Sequence, residues 1–87
     1  MEAGLNSRFP KPVAVVDASR LIMVEDAEGA AEFLMKRWPK FRGPRHADAC
    51  AALLLVASGK ETTRAGQEAF IAAAREADIL IPQAKSS

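Results

Sequence analysis

Two short runs, Val13-Ala14-Val15-Val16 and Leu21-Ile22-Met23-Val24, are separated by only four residues, Asp17-Ala18-Ser19-Arg20. β-Branched and large aliphatic side chains favour the pleated, extended backbone, and a polar gap this short leaves room only for a reversal. The pair therefore reads as an antiparallel hairpin. Both runs are apolar throughout rather than alternating, which points to at least partial cover on both faces. The gap holds neither Asn-Gly nor Asp-Gly, so the turn type is not legible.

An isolated hairpin is marginal in water, so the rest of the chain must cover it. Asp26 is a good N-cap, and Glu25 and Glu28 add negative charge at the positive end of a helix dipole. Ala27, Ala31, Leu34 and Trp38 then repeat at helical spacing, with Ala30 and Phe33 widening the stripe. Lys36 and Arg37 suit the last turn, and Pro39 ends this first helix. After the proline-bracketed loop Pro39–Pro44, a second helix is expected from about Arg45 to Ser58, with Gly59 as its left-handed stop. Its middle, Ala49 to Ala57, is apolar on every side, which marks it as the central helix, covered all round.

Thr62 or Thr63 starts a third helix that runs to about Ala77. Ala65, Ala69, Ala73 and Ala77 repeat on one side with Phe70 as the large knob, while Arg64, Gln67, Glu68, Arg75 and Glu76 supply the wet side. Gly66 should weaken the first turn by roughly 1 kcal/mol relative to Ala. Ile79-Leu80-Ile81 is too short for a helix and reads as an edge strand added to the hairpin, ended by Pro82. The expected architecture is thus α+β: a small antiparallel sheet, made of the hairpin plus a short C-terminal strand, covered by three helices in the order ββαααβ. Residues 1–11, with Pro10 and Pro12 at the exit and Leu5 and Phe9 as the only bulky apolar side chains, form a flexible arm. Residues 12–81 form one globular domain and 82–87 a disordered tail.

A chain of 87 residues buries roughly 60% of its extended surface on folding, enough for one core without a metal or disulfide staple. The net charge of +1 supplies no global field toward nucleic acid or an anionic membrane. One cysteine, Cys50, rules out an internal disulfide and fits a reducing cytoplasm. The first residues show no basic segment leading into an apolar run, and Ala49–Ala57 is too short to span a bilayer, so a soluble cytoplasmic protein is expected.

Four groups of residues could carry chemistry. His46 and Cys50 stand four apart on one helix face, as in the start of a metal site or of a nucleophile–base pair. Each is the only residue of its kind and Asp48 points elsewhere, so Cys50 reads as core filler and His46 as a first-turn hydrogen-bonding residue. No motif calls for a metal or cofactor, and no nucleophile–base–orienter set can be assembled. The second group, Lys36, Arg37, Lys40, Arg42, Arg45 and His46 around Trp38 and Phe41, is a candidate anion-binding segment, where cations and aromatics near a helix start can hold a phosphate or stack a base. The bland reading, a solvated loop with Trp38 as a core anchor, is preferred. The acidic group Glu25, Asp26 and Glu28 is explained by helix capping. The fourth is the strand edge at Val13 and Val15, uncharged and therefore either able to pair with another copy or another protein or, with equal weight, buried within the fold.

The hairpin followed by Ala30-Ala31-Glu32-Phe33-Leu34, Arg37-Trp38-Pro39, Gly43, His46 and Ala49-Cys50 resembles the bacterial domain-of-unknown-function family 982. So do Ala69-Phe70-Ile71 and Ala73-Ala74-Arg75-Glu76-Ala77, and the resemblance extends from about Pro12 to Ile81. Two departures from its pattern are Gly66-Gln67-Glu68, in place of an Ala-Arg-rich helix start, and Asp78, in place of a small residue such as Gly. The family carries no established activity, so the resemblance bears on fold alone. The expectation is a small non-catalytic interaction module, homodimeric through the sheet edge. The alternative is a weak anion or nucleic-acid binder using Lys36–His46.

Overall fold

The computed structural model describes residues 8–39 and 42–81. Two strands, β1 (Arg8–Asp17) and β2 (Arg20–Asp26), are followed by three helices, α1 (Ala27–Lys36), α2 (Pro44–Ala57) and α3 (Thr63–Glu76). The strands pair antiparallel, from Asp17 opposite Arg20 back to Val13 opposite Val24. The two residues between them, Ala18 and Ser19, have φ of 53° and 68°. Left-handed backbone at both central positions is the type I′ signature, whose twist matches that of the flanking strands. It is reached here without the usual Asn or Gly.

β1 begins at Arg8, so Arg8 to Lys11, expected in the flexible arm, belong to the strand. The pairing slips between Arg8 and Val13, where Pro10 and Pro12 cannot donate to a ladder. Residues 1–7 and 82–87 of the expected arm and tail lie outside the described residues.

The first and third helices start on the expected caps. The Gly29 N–H donates to Asp26 Oδ1 at 2.7 Å, and the Ala65 N–H donates to Thr62 Oγ1 at 3.1 Å. The second and third helices also end alike. Lys60 N–H donates to Leu55 O and Gly59 N–H to Val56 O around a left-handed Gly59 (φ 77°). Ile79 N–H donates to Ala74 O and Asp78 N–H to Arg75 O around a left-handed Asp78 (φ 63°). Both pairs form the double bond pattern that closes a helix on a positive-φ residue. Asp78 thus does a glycine's task with a side chain attached.

The expected C-terminal strand does not form, and the order is ββααα. Ile79–Ile81 instead lies along the outer edge of β1 with one bridge, Leu80 to Val15. Val16 N–H donates to Ile79 O and Ile81 N–H to Ala14 O, each at 2.9 Å. Asp78 closes α3 immediately before this segment, so the pairing begins only at Ile79.

The core joins the inner face of the hairpin to α1 and α3. Phe33, Trp38 and Phe70 meet edge to face with ring centres 5.8–6.3 Å apart, and Phe9 reaches Phe70 from β1. Offset and edge-to-face contacts of this kind add to the burial term. α2 packs on α1 and α3 rather than standing at the centre. It buries Ala49, Leu53 and Val56, while Leu54 is 68% exposed, which corrects the expectation of a helix covered all round.

Two residues of α3 also differ from expectation. Gln67, assigned to the wet face, is buried, and its Nε2 donates to the Lys11 carbonyl at 2.6 Å. Gly66 lies against α2, where a Cβ would come within 2.8 Å of Val56 Cγ2. The glycine that weakens α3 locally is what lets the two helices approach.

Candidate functional site

Among the described residues, the cations of the basic segment do not converge on one place. At the end of α1, Lys36 Nζ lies 3.8 Å from Glu32, and Arg37 Nη1 donates to Asp17 Oδ2 at 3.0 Å. In the first turn of α2, the Arg45 guanidinium reaches Asp48 at 3.6 Å. Arg42 is exposed, and Lys40 and Phe41 lie outside the described residues. Trp38 is buried among aromatic rings and offers no face on which a base could stack.

The amino end of α2 is the natural anion site of this segment, because its first amides have no partner within the helix. Gly43 at the cap has no side chain to serve them. Glu76, from the end of α3, does so instead, with Oε1 accepting from the Arg45 N–H at 3.0 Å. The position an external anion would take is held by a carboxylate of the chain itself. Nothing in the residue pattern signals this, because the two residues are brought together only by the packing of α3 on α2.

His46 Nε2 donates to the Leu34 carbonyl at 3.0 Å, tying α2 to α1, and its ring lies 5.4 Å from that of Trp38. A neutral ring that donates from Nε2 has its lone pair on Nδ1. That atom faces Cys50 Sγ at 3.9 Å. The pair is joined, but no group of three His, Cys, Asp or Glu side chains able to hold a metal occurs among the described residues. In the acidic group, Asp26 caps α1, Glu28 lies in its first turn and Glu25 reaches Arg8 at 3.7 Å.

The strand edges are placed differently from expectation. Val13 and Val15 are 2% and 0% exposed, so they are core residues and not an interface. Their edge is taken by Ile79–Ile81, whose bonds use the backbone groups of Ala14 and Val16. This fixes the direction of every group on β2. In an antiparallel ladder each residue turns both its N–H and its C=O to one side. Ala14 and Val16 turn theirs away from β2, so their partners Met23 and Leu21 turn theirs away from β1. Glu25, two residues further on, follows the same alternation.

β2 therefore carries an outward row of N–H and C=O groups at Leu21, Met23 and Glu25, and among the described residues none of them bonds to backbone outside the strand pair. Leu21 is 61% and Met23 48% exposed on the same strand. An open groove of about 330 Å³ runs beside it, between Ile22, Met23 and Val24 on one wall and Gly29, Glu32 and Phe33 of α1 on the other. Of the two readings of the Val13–Val15 edge, exposed or buried, the structure shows the buried one. With Ile79–Ile81 on the β1 side, the edge of the hairpin left uncovered by it is that of β2.

The family model described as a protein of unknown function (DUF982) matches residues 11–81. The chain belongs to this family. The DUF982 match takes in β1 from Lys11 onward, the whole of β2 and all three helices, together with His46, Cys50 and Glu76. No curated protein and no solved structure shows significant similarity to the chain. Among the described residues of this DUF982 member, no helix is long and apolar enough to cross a membrane.

Proposed function

We propose that the chain is a small non-catalytic protein-interaction module that takes its partner as an added strand at the β2 edge, with a second copy of itself as that partner. The observation that carries this reading is the outward row of backbone groups at Leu21, Met23 and Glu25, flanked by the exposed Leu21 and Met23 side chains. An uncovered edge is a template for strand addition, in which main-chain bonds give affinity and alternate side chains give selectivity. The opposite edge of the hairpin cannot serve, because Ile79–Ile81 covers it. The alternative, an anion or nucleic-acid binder on the Lys36–His46 segment, has less support, since Lys36, Arg37 and Arg45 each face a carboxylate and Glu76 caps α2.

Light scattering over a micromolar to submillimolar range tests the reading. A mass that rises toward a dimer is expected, with Met23→Pro returning the protein to monomer, because proline removes the central outward N–H. A Met23→Pro protein that stays folded by circular dichroism and still dimerises would remove β2 from the interface.

A further inference from the structure

We infer that two copies join β2 to β2 antiparallel, with Met23 of each chain opposite Met23 of the other on a two-fold axis. This inference rests on the strand-addition reading above and specifies its geometry. Two antiparallel strands of identical sequence are related by an axis perpendicular to the sheet, so opposed residues must point to the same face. Only registers in which the opposed residues are an even number of positions apart meet that condition.

Among those registers, the one centred on Met23 uses the whole edge. The outward groups belong to Leu21, Met23 and Glu25, and this register sets Leu21 against Glu25, Met23 against Met23 and Glu25 against Leu21. Each such opposition exchanges both N–H···O=C bonds. Centring on Leu21 or on Glu25 instead would leave outward groups of β2 unmatched by outward groups of the second β2.

The charges agree with the same register. It sets Arg20 of one copy against Asp26 of the other at both ends of the pairing, and Ile22 against Val24 on the helix-covered face between them. Opposite charges directly across a ladder are favourable and like charges are not. Asp26 uses Oδ1 to cap α1, which leaves its second oxygen for Arg20 of the second copy. An open groove separates β2 from Gly29, Glu32 and Phe33 of α1 beside this edge. The result is a continuous four-stranded sheet in which each Ile79–Ile81 segment finishes an outer edge.

Disulfide trapping in a Cys50→Ala background reads the register directly. Opposed residues of an antiparallel pair have Cα atoms about 5.5 Å apart at a hydrogen-bonded position, within disulfide reach. Met23→Cys is expected to give a covalent dimer under mild oxidation, whereas Leu21→Cys is not, its two copies standing roughly 13 Å apart in this register. Leu21→Cys/Glu25→Cys should cross-link again. Arg20→Glu, which spares the α1 cap, should weaken the dimer by roughly tenfold at low salt and less at high salt. Cross-linking by Leu21→Cys but not Met23→Cys, in a protein that dimerises, overturns the register and leaves the strand-addition reading standing. A parent protein that stays monomeric by light scattering at submillimolar concentration overturns both.

Discussion

The Glu76 carboxylate occupies the space in which a side chain on Gly43 would begin: its Oε1 lies 2.5 Å from the position of a Cβ there, and the same oxygen accepts the Arg45 N–H. Gly43 has an extended backbone (φ −80°, ψ −173°) that any residue can adopt, so its requirement is one of space. Gly43→Ala should therefore cost about 1–3 kcal/mol, the usual range for overpacking, with the loss of one capping bond included. A urea midpoint measures it. Adding Glu76→Ala to Gly43→Ala should cost less than the two single changes summed, because the clash and the bond involve the same carboxylate. Strict additivity would show that Glu76 does not sit on the α2 cap.

Gly66 faces a comparable test with two opposed effects. Alanine in a helix interior gains about 1 kcal/mol over glycine, yet here its methyl would meet Val56 Cγ2 at 2.8 Å and Leu53 Cδ2 at 3.1 Å. Val56 is β-branched and stiff at χ1, so it cannot simply swing aside. Gly66→Ala is expected to be net destabilising by about 1 kcal/mol. The thermal midpoint decides the sign, and a rise would mean that α2 moves off α3 at little cost.

The hairpin turn and the α3 terminus hold non-glycine residues in left-handed backbone. Replacing Ala18-Ser19 by Asn-Gly should stabilise the protein by about 1 kcal/mol. Asp78→Gly should add up to about 1 kcal/mol by the same reasoning. The two sites lie on separate elements, so calorimetry should find their effects nearly additive. Lower melting temperatures for both variants would contradict the conformations described.

Trp38 is the one tryptophan and lies between Phe33, Phe70 and His46. Trp38→Ala should cost about 3–5 kcal/mol, as for other buried aromatic deletions. The parent's fluorescence should be blue-shifted and should move to the red on unfolding. An unshifted midpoint in Trp38→Ala would return this ring to the surface and reopen the stacking alternative.

A labelled oligonucleotide titrated at low salt should bind weakly at most and be released as salt rises, since Lys36, Arg37 and Arg45 already face carboxylates. Tight binding abolished by Lys40→Glu/Arg42→Glu would move the functional site to that segment.

The features legible in the sequence were local ones. The Asp26 cap, the Gly59 stop and the hairpin each rest on residues a few positions apart, and each is where the pattern puts it. The features that escaped it were set by packing. The apolar run of α2 looks the same whether Leu54 faces a neighbour or solvent, and only the placement of α1 and α3 decides which. Gln67 looks like a surface residue until the Lys11 carbonyl, far away in sequence, is set beside it by the irregular start of β1. The assignment of Val13 and Val15 to an interface failed for a related reason. A strand has two edges, and the sequence alone does not say which of them Ile79–Ile81 will take.

The bonds from Ile79 and Ile81 to Val16 and Ala14 also impose an order on biosynthesis. A ribosome delivers β1 first and Ile81 more than sixty residues later. The hairpin can close as soon as its own residues are free, but its Val13–Val16 side then stands bare while three helices are still being made. The strand most deeply enclosed in the finished protein is thus the one longest exposed in the nascent chain, and nascent edges of this kind are prone to pair with the wrong neighbour. Translation speed through the helices, and any chaperone that shelters an open strand, act on that interval.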